Sequence, residues 1–150
     1  MSNRSFLLIF IFLVSCMSSQ DISNSNLSSF YRSSDRLFHP SFEVYLFKPD
    51  SARLYVRFNT KELLYVNAGS DRVMASLKIV CRLLESYEAP TAYDTVEKVF
   101  TLPQLEGNST KVFTLDIPLP KKQIYLLEVT LADVRKNTSD MFFLGLDAAS

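Results

Sequence analysis

The sequence has no tryptophan, one histidine, three glycines and two cysteines in 150 residues, and its 16 cations cancel its 16 anions. Each shortage excludes something. A hydrolase triad needs a histidine base, and the single histidine, His39, stands beside Pro40 in a stretch that reads as a loop. Zinc needs about four His, Cys or carboxylate ligands, more than His39 and one strand cysteine supply. Gly69, Gly107 and Gly145 stand apart, so they cannot build a Gly-rich phosphate loop. Balanced charge gives no electrostatic case for binding nucleic acid. Glu85 and Glu88 flank a turn and invite comparison with a glycosidase carboxylate pair, but a solvated turn explains them more simply. The chain is therefore expected not to be an enzyme, with no catalytic residues, no metal and no cofactor.

What is present begins with Phe6-Leu7-Leu8-Ile9-Phe10-Ile11-Phe12-Leu13-Val14-Ser15-Cys16. Ahead of it, Met1 to Ser5 carries one cation, Arg4, and no acid. A helix over Phe6 to Val14 would span roughly 14 Å, against a bilayer core of about 30 Å. That is too short to cross and suits the apolar region of a signal peptide followed by a small-residue cleavage site. The stretch closes as Leu13-Val14-Ser15-Cys16, the form of a lipobox: an aliphatic residue, a tolerated one, a small one, then cysteine. Residues 1–15 are read as a lipoprotein signal peptide, and Cys16 as the lipid-bearing N-terminus of the mature chain. Its thiol accepts a thioether-linked diacylglycerol, and more than one acyl chain gives lasting anchorage at about 0.8 kcal/mol per buried CH2. An ordinary signal peptide that ends at a cysteine is the competing reading. The expected location is the bacterial cell envelope, anchored in the outer membrane and facing the periplasm.

Without residues 1–15, about 135 residues remain, enough for one domain with a sizeable core. Loss of Arg4 takes 16 cations to 15 against 16 anions. From Met17 to Ser34 serine and asparagine dominate, a composition that cannot bury enough apolar surface to offset its ordering entropy. Residues 16–36 are read as a flexible tether, with Phe30-Tyr31 and Leu37-Phe38 expected to dock where it meets the domain. Once Cys16 is acylated, Cys81 has no partner in the chain and reads as a small buried hydrophobe. A Cys16–Cys81 disulfide is the alternative.

Residues 37–150 read as strands throughout. Strand candidates are Phe42 to Phe47, Arg53 to Phe58, Tyr93 to Leu102, Lys111 to Ile117, Ile124 to Val134 and Asp140 to Leu146. The strongest runs from Val73, where Ala75, Leu77, Ile79, Cys81 and Leu83 alternate with polar residues, a period of two that argues for a half-buried strand. Lys61 to Val66 is either a short strand or a crossing segment. Pro49-Asp50-Ser51, Ala68 to Asp71, Glu106 to Ser109, Pro118 to Lys122 and Arg135 to Ser139 read as turns. About seven strands with this turn spacing predict an all-β, immunoglobulin-like antiparallel sandwich, with a small barrel as its rival. Asn26-Leu27-Ser28, Asn108-Ser109-Thr110 and Asn137-Thr138-Ser139 match the glycosylation pattern, which in a bacterial lipoprotein marks only turn-forming residues.

Two stretches carry a likeness. Leu37-Phe38-His39-Pro40-Ser41-Phe42-Glu43-Val44-Tyr45, followed by Ser51 through Tyr65, resembles the N-terminal region of GWxTD-domain lipoproteins of Bacteroidetes-type bacteria. It extends more loosely through Arg82-Leu83-Leu84-Glu85 and Tyr125-Leu126-Leu127-Glu128-Val129. The motif that names the family contains tryptophan, which this chain lacks, so activity of that region is not carried over. The resemblance implies a lipid-anchored, non-catalytic envelope module, a spacer or protein-interaction domain with an envelope protein partner. The alternative is a periplasmic or surface lipoprotein that binds glycan or peptide through exposed tyrosines. A contiguous aromatic platform favours the ligand binder; tyrosines dispersed into the core favour the spacer.

Overall fold

The computed structural model describes residues 36–69, 72–104, 107 and 109–149. The expected signal peptide, Cys16 and nearly all of the tether lie outside them. Eight strands follow in order: β1 (Ser41–Lys48), β2 (Ser51–Asn59), β3 (Val66–Asn67), β4 (Val73–Leu84), β5 (Asp94–Pro103), β6 (Thr110–Pro118), β7 (Ile124–Asp133) and β8 (Thr138–Asp147). One 3-10 turn, Thr60–Glu62, separates β2 from β3. Seven of the strands are long, as the turn spacing predicts. The ambiguous Lys61–Val66 stretch is a crossing segment that ends in the two-residue β3.

All pairings are antiparallel and form two sheets. One runs β1-β2-β6, and the other places β4 between β5 and β7, with β8 outside β7. Met74 pairs with both Val66 and Pro103, so β3 and β5 lie on opposite edges of β4, and β3 continues the line of β7. This is an immunoglobulin-like sandwich. Relative to the constant-type partition, the fourth long strand, β5, has left the β1-β2-β6 sheet and pairs β4.

Alternation decides which side chains meet between the sheets. Ala52, Leu54, Val56 and Phe58 from β2 face Ala75, Leu77, Ile79, Cys81 and Leu83 from β4, and all are buried. Tyr125, Leu127, Val129 and Leu131 from β7, with Phe142, Leu144 and Leu146 from β8, complete one continuous core. Aromatic pairs close the margins. Phe42 meets Phe142 at 5.1 Å between the β1 and β8 edges, and Phe100 meets Phe113 at 4.7 Å between β5 and β6.

The chain is fastened where it joins the sandwich. Leu37 and Phe38 donate their N–H groups to the same carboxylate oxygen of Asp140, at 2.7 and 2.8 Å. Phe38 is buried against Phe58 at 5.6 Å, whereas Leu37 stays exposed. Arg36, the last residue assigned to the tether, already lies over the Phe142 ring at 4.6 Å. A buried carboxylate organises the same end: Asp133 accepts from Leu64 N–H at 2.6 Å, Arg135 N–H at 2.9 Å and Lys136 N–H at 3.0 Å. It thereby joins the crossing segment to the β7–β8 turn, in which Asn137 takes the left-handed φ of 55° that asparagine tolerates.

Candidate functional site

Period-two alternation makes the outward positions of β1 and β2 polar by expectation. Glu43, Arg53 and Arg57 follow it, but three aromatic residues do not. Tyr45 and Phe47 on β1 are exposed, and Tyr55 on β2 is half-buried beside them. The register sets Tyr45 opposite Arg53 and Glu43 opposite Tyr55, so Tyr45 and Tyr55 are diagonal neighbours. Their rings meet edge to face at 5.7 Å. The register shifts between Leu46 and Lys48, which leaves Phe47 as the unpaired residue of a bulge. Its ring lies beneath the Arg53 guanidinium at 4.6 Å, which places it on the same face.

Electrostatics lock this face together. Arg53 stands opposite Asp116 of β6 and binds it in bidentate fashion, Nε to Oδ1 at 2.6 Å and Nη2 to Oδ2 at 3.0 Å. The hydrogen bonds from Arg53 hold the Asp116 carboxyl below its ordinary range, and the same contact raises the Arg53 guanidinium. Tyr45 donates its hydroxyl to Glu43 at 3.1 Å, a bond that pushes the phenol pKa up. The result is a cluster of three rings around an ion pair, with the Tyr45 and Tyr55 planes at 79° to each other and Lys48 Nζ 5.5 Å from the Phe47 centroid. Rings supply stacking area; the remaining N–H groups of Arg53 and the carboxylates of Asp116 and Glu43 supply hydrogen bonds. Nothing in the arrangement is a nucleophile–base pair.

The described tyrosines divide into three groups. Tyr125 is buried, Tyr65 packs against the core, and Tyr93, itself exposed, meets Tyr125 edge to face at 5.7 Å. Tyr87 is exposed on the β4–β5 loop and meets Phe143 at 5.1 Å. Tyr45 and Phe47, with the half-buried Tyr55, form a contiguous aromatic cluster at the surface, the arrangement expected to favour a ligand binder over a spacer.

The residues singled out from the sequence are scattered. Cys16 lies outside the described residues. His39 sits where the chain joins the sandwich; its N–H donates to Glu62 at 2.9 Å and its Nδ1 lies 3.6 Å from the other carboxylate oxygen, so it clamps the loop. Cys81 is a free thiol in the core, its pKa pushed up to about 12 by burial, with the Glu128 charge adding. Glu85 and Glu88 are exposed on the β4–β5 loop, around a depression of about 270 Å³ that Pro90 and Tyr93 also line. Among the described residues no three His, Cys, Asp or Glu side chains group as metal ligands. Gly69 and Gly107 occupy separate turns with φ of 92° and 95°.

Sequence reading missed Arg53, Asp116 and the platform itself. The available signal was Tyr45, Phe47 and Tyr55 standing in the outward phase of the alternation. Their adjacency, and the pairing of Arg53 with a residue 63 positions away, depends on strand register. No protein-family model, no curated protein and no solved structure matches this chain.

Proposed function

We propose that this chain is a lipid-anchored, non-catalytic protein of the bacterial envelope, related to the front region of GWxTD-domain lipoproteins, and that its sandwich is a binding module. Acylated Cys16 holds it on the outer membrane, facing the periplasm. The observation that carries the binding role is the platform of Tyr45, Phe47 and Tyr55 around the Arg53–Asp116 pair. A sandwich that serves only as a spacer gains nothing from three large aromatic rings on its solvent face, where polar side chains serve solubility better. Rings and arginine are also the side chains that dominate binding energy at recognition surfaces.

The test is retention of the full chain, solubilised in mild detergent, on immobilised fragments of its native envelope. Detergent holds the acyl chains in micelles, so retention reports on the folded face. Replacing Tyr45 and Phe47 together by alanine is expected to weaken retention about tenfold or more. The matched pair Val99→Ala and Met141→Ala, exposed on the opposite sheet, should leave it unchanged. Equal retention of both variants would return the domain to the spacer reading.

A further inference from the structure

We propose that the end of the sandwich where the tether enters lies against an anionic lipid surface. The assignment rests on the lipid-anchored reading just proposed and adds the orientation of the domain on its membrane.

One end of the fold gathers the loops concerned. The start of β1 lies opposite the end of β2, and the end of β7 lies beside both β4 and the start of β8. The Leu37–Phe38 junction, the crossing segment, the β3–β4 turn and the β7–β8 turn therefore share that end. Hydrogen bonds tie most of them together. The junction bonds to Asp140 and Glu62, and both the crossing segment and the β7–β8 turn bond to Asp133. The chain that leads back to Cys16 leaves from here.

Charge is balanced over the whole chain but not between its ends. Lys61, Arg72, Arg135 and Lys136 stand exposed on the loops of the tether end, and no ion pair joins them to a described carboxylate. The described acids of that end face backbone donors instead: Glu62 accepts from His39, Asp140 from Leu37 and Phe38, and buried Asp133 from three N–H groups. Arg36, Arg57 and Lys111 add three cations at the adjoining strand ends, more than offsetting Asp71 and Glu106 of the neighbouring turns. At the opposite end the order reverses, with Asp50, Glu85, Glu88, Asp94 and Asp147 against Lys48, Lys121 and Lys122. An anionic surface attracts the first end and repels the second. Each cation close to such a surface strengthens the contact about fivefold.

Aliphatic side chains stand among these cations. Leu37, Leu64 and Val134 are 42%, 44% and 49% exposed. Leu64 and Val134 flank Asp133, one through its N–H bond and the other in sequence, and Val134 runs into Arg135 and Lys136. At a headgroup boundary that mixture is favourable, because the aliphatic groups leave water while lysine and arginine meet phosphates. An acidic protein would satisfy the cations as well, but it must arrive from solution. The acylated N-terminus already holds this end near the bilayer, so a weak surface contact closes within one molecule. Docking by this end turns the β1–β2 turn, with Phe47 beside it, toward the periplasm.

Depth-dependent quenching tests the orientation. The acylated chain carries a fluorophore at Val134→Cys or, as reference, at Tyr87→Cys on the β4–β5 loop; Cys81 is buried. Vesicles hold a quencher in their acyl region and consist of phosphatidylcholine alone or of phosphatidylcholine with phosphatidylglycerol. Flotation with both vesicles reports the anchor. Quenching is expected at Val134 in the anionic vesicles, not in the neutral ones, and at Tyr87 in neither. Lys61→Glu, Arg135→Glu and Lys136→Glu combined should lower the docked-to-free ratio more than about tenfold, with flotation and melting temperature unchanged. Salt at about 1 M, where the Debye length is about 3 Å, should do the same. Flotation without quenching at Val134, equal quenching in both vesicles or at both positions, or full quenching of the triple variant would overturn the orientation and leave the lipid anchor standing. A chain that floats with neither vesicle overturns the anchor and the orientation together.

Discussion

The hydroxyl of Tyr125 donates to the carbonyl of Lys121 at 2.7 Å and accepts from the N–H of the same residue at 2.9 Å. One side chain thus satisfies both backbone groups of a residue four positions earlier. The ring is buried against Tyr93, and the Lys121 Nζ lies 5.8 Å from the Tyr93 ring centroid. Tyr125 stands near the start of β7, after the connection from β6, the position of the tyrosine corner in immunoglobulin-type sandwiches. Tyr125→Phe keeps the ring and removes both bonds. It is expected to lower stability by about 1–3 kcal/mol, seen as a lower denaturant midpoint with an unchanged slope. An unchanged midpoint would mean that water replaces the hydroxyl at no cost.

Asp133 offers a harsher test, because no water reaches it from outside. Its carboxylate is fully buried and accepts three backbone N–H groups. Asp133→Ala leaves all three without a partner, and each buried orphan costs about 1–3 kcal/mol. The variant is expected to lose at least about 3 kcal/mol. Asp133→Asn keeps the shape but turns an amide N–H toward one of the donors, so it should fall between the two. Equilibrium unfolding in urea ranks them.

Cys81 links stability to pH. Its folded pKa is about 12, raised by burial, against about 8.5 for an unperturbed thiol. Below the lower value both folded and unfolded chains hold the proton. Between the two values the unfolded chain releases it first, so the folded state loses stability as pH rises. The loss is at most about 1.4 kcal/mol per pH unit. The stability difference between the native chain and Cys81→Ala should therefore change across pH 9–11 and hold steady between pH 6 and 8. A difference that is constant throughout would show that the thiol titrates freely in the fold. Thiol labelling of the native chain at pH 8 should likewise be slow and become fast on unfolding.

Strand β8 closes one side of the second sheet and pairs with β7 over ten residues. Phe142, Leu144 and Leu146 point inward and are buried. At about 1.5–3 kcal/mol each they contribute roughly 5–9 kcal/mol, against a typical total of about 5–15 kcal/mol. A chain ending at Ser139 also bares the β7 edge to association with other chains. It is expected to aggregate or fail to fold. A chain ending at Asp147 loses, among the described residues, the contacts of Ala148 and Ala149, such as the Ala148 N–H bond to Gln123, and should melt cooperatively. Equal melting of the two would remove β8 from the stable core.

The anchor has its own test. Cys16→Ser removes the thiol that, on the proposed lipoprotein reading, accepts diacylglycerol. The variant is expected to leave the membrane fraction and to accumulate as unprocessed precursor. Normal processing and normal fractionation would sink the lipoprotein reading while leaving the platform untouched.

Alternation by itself determined which strands form and which faces turn inward. From Val73 to Leu83 the apolar phase of the sequence is the buried phase of β4, because successive side chains of a strand must point to opposite faces. The turns followed from Pro49, Gly69, Gly107 and Asn137, whose backbone preferences suit reversals. Period two also placed Tyr125 in the core, but it is blind to the hydroxyl, whose partner is fixed by how the β6–β7 connection folds back. Lys61–Val66 resisted reading because its order comes from elsewhere, through the bond from Leu64 to Asp133. The choice of sheet for β5 and the meeting of Tyr45, Tyr55, Arg53 and Asp116 were decided only in three dimensions. A strand's own sequence states which side chains face outward. Register with its neighbours, set by the whole core at once, decides which of them touch.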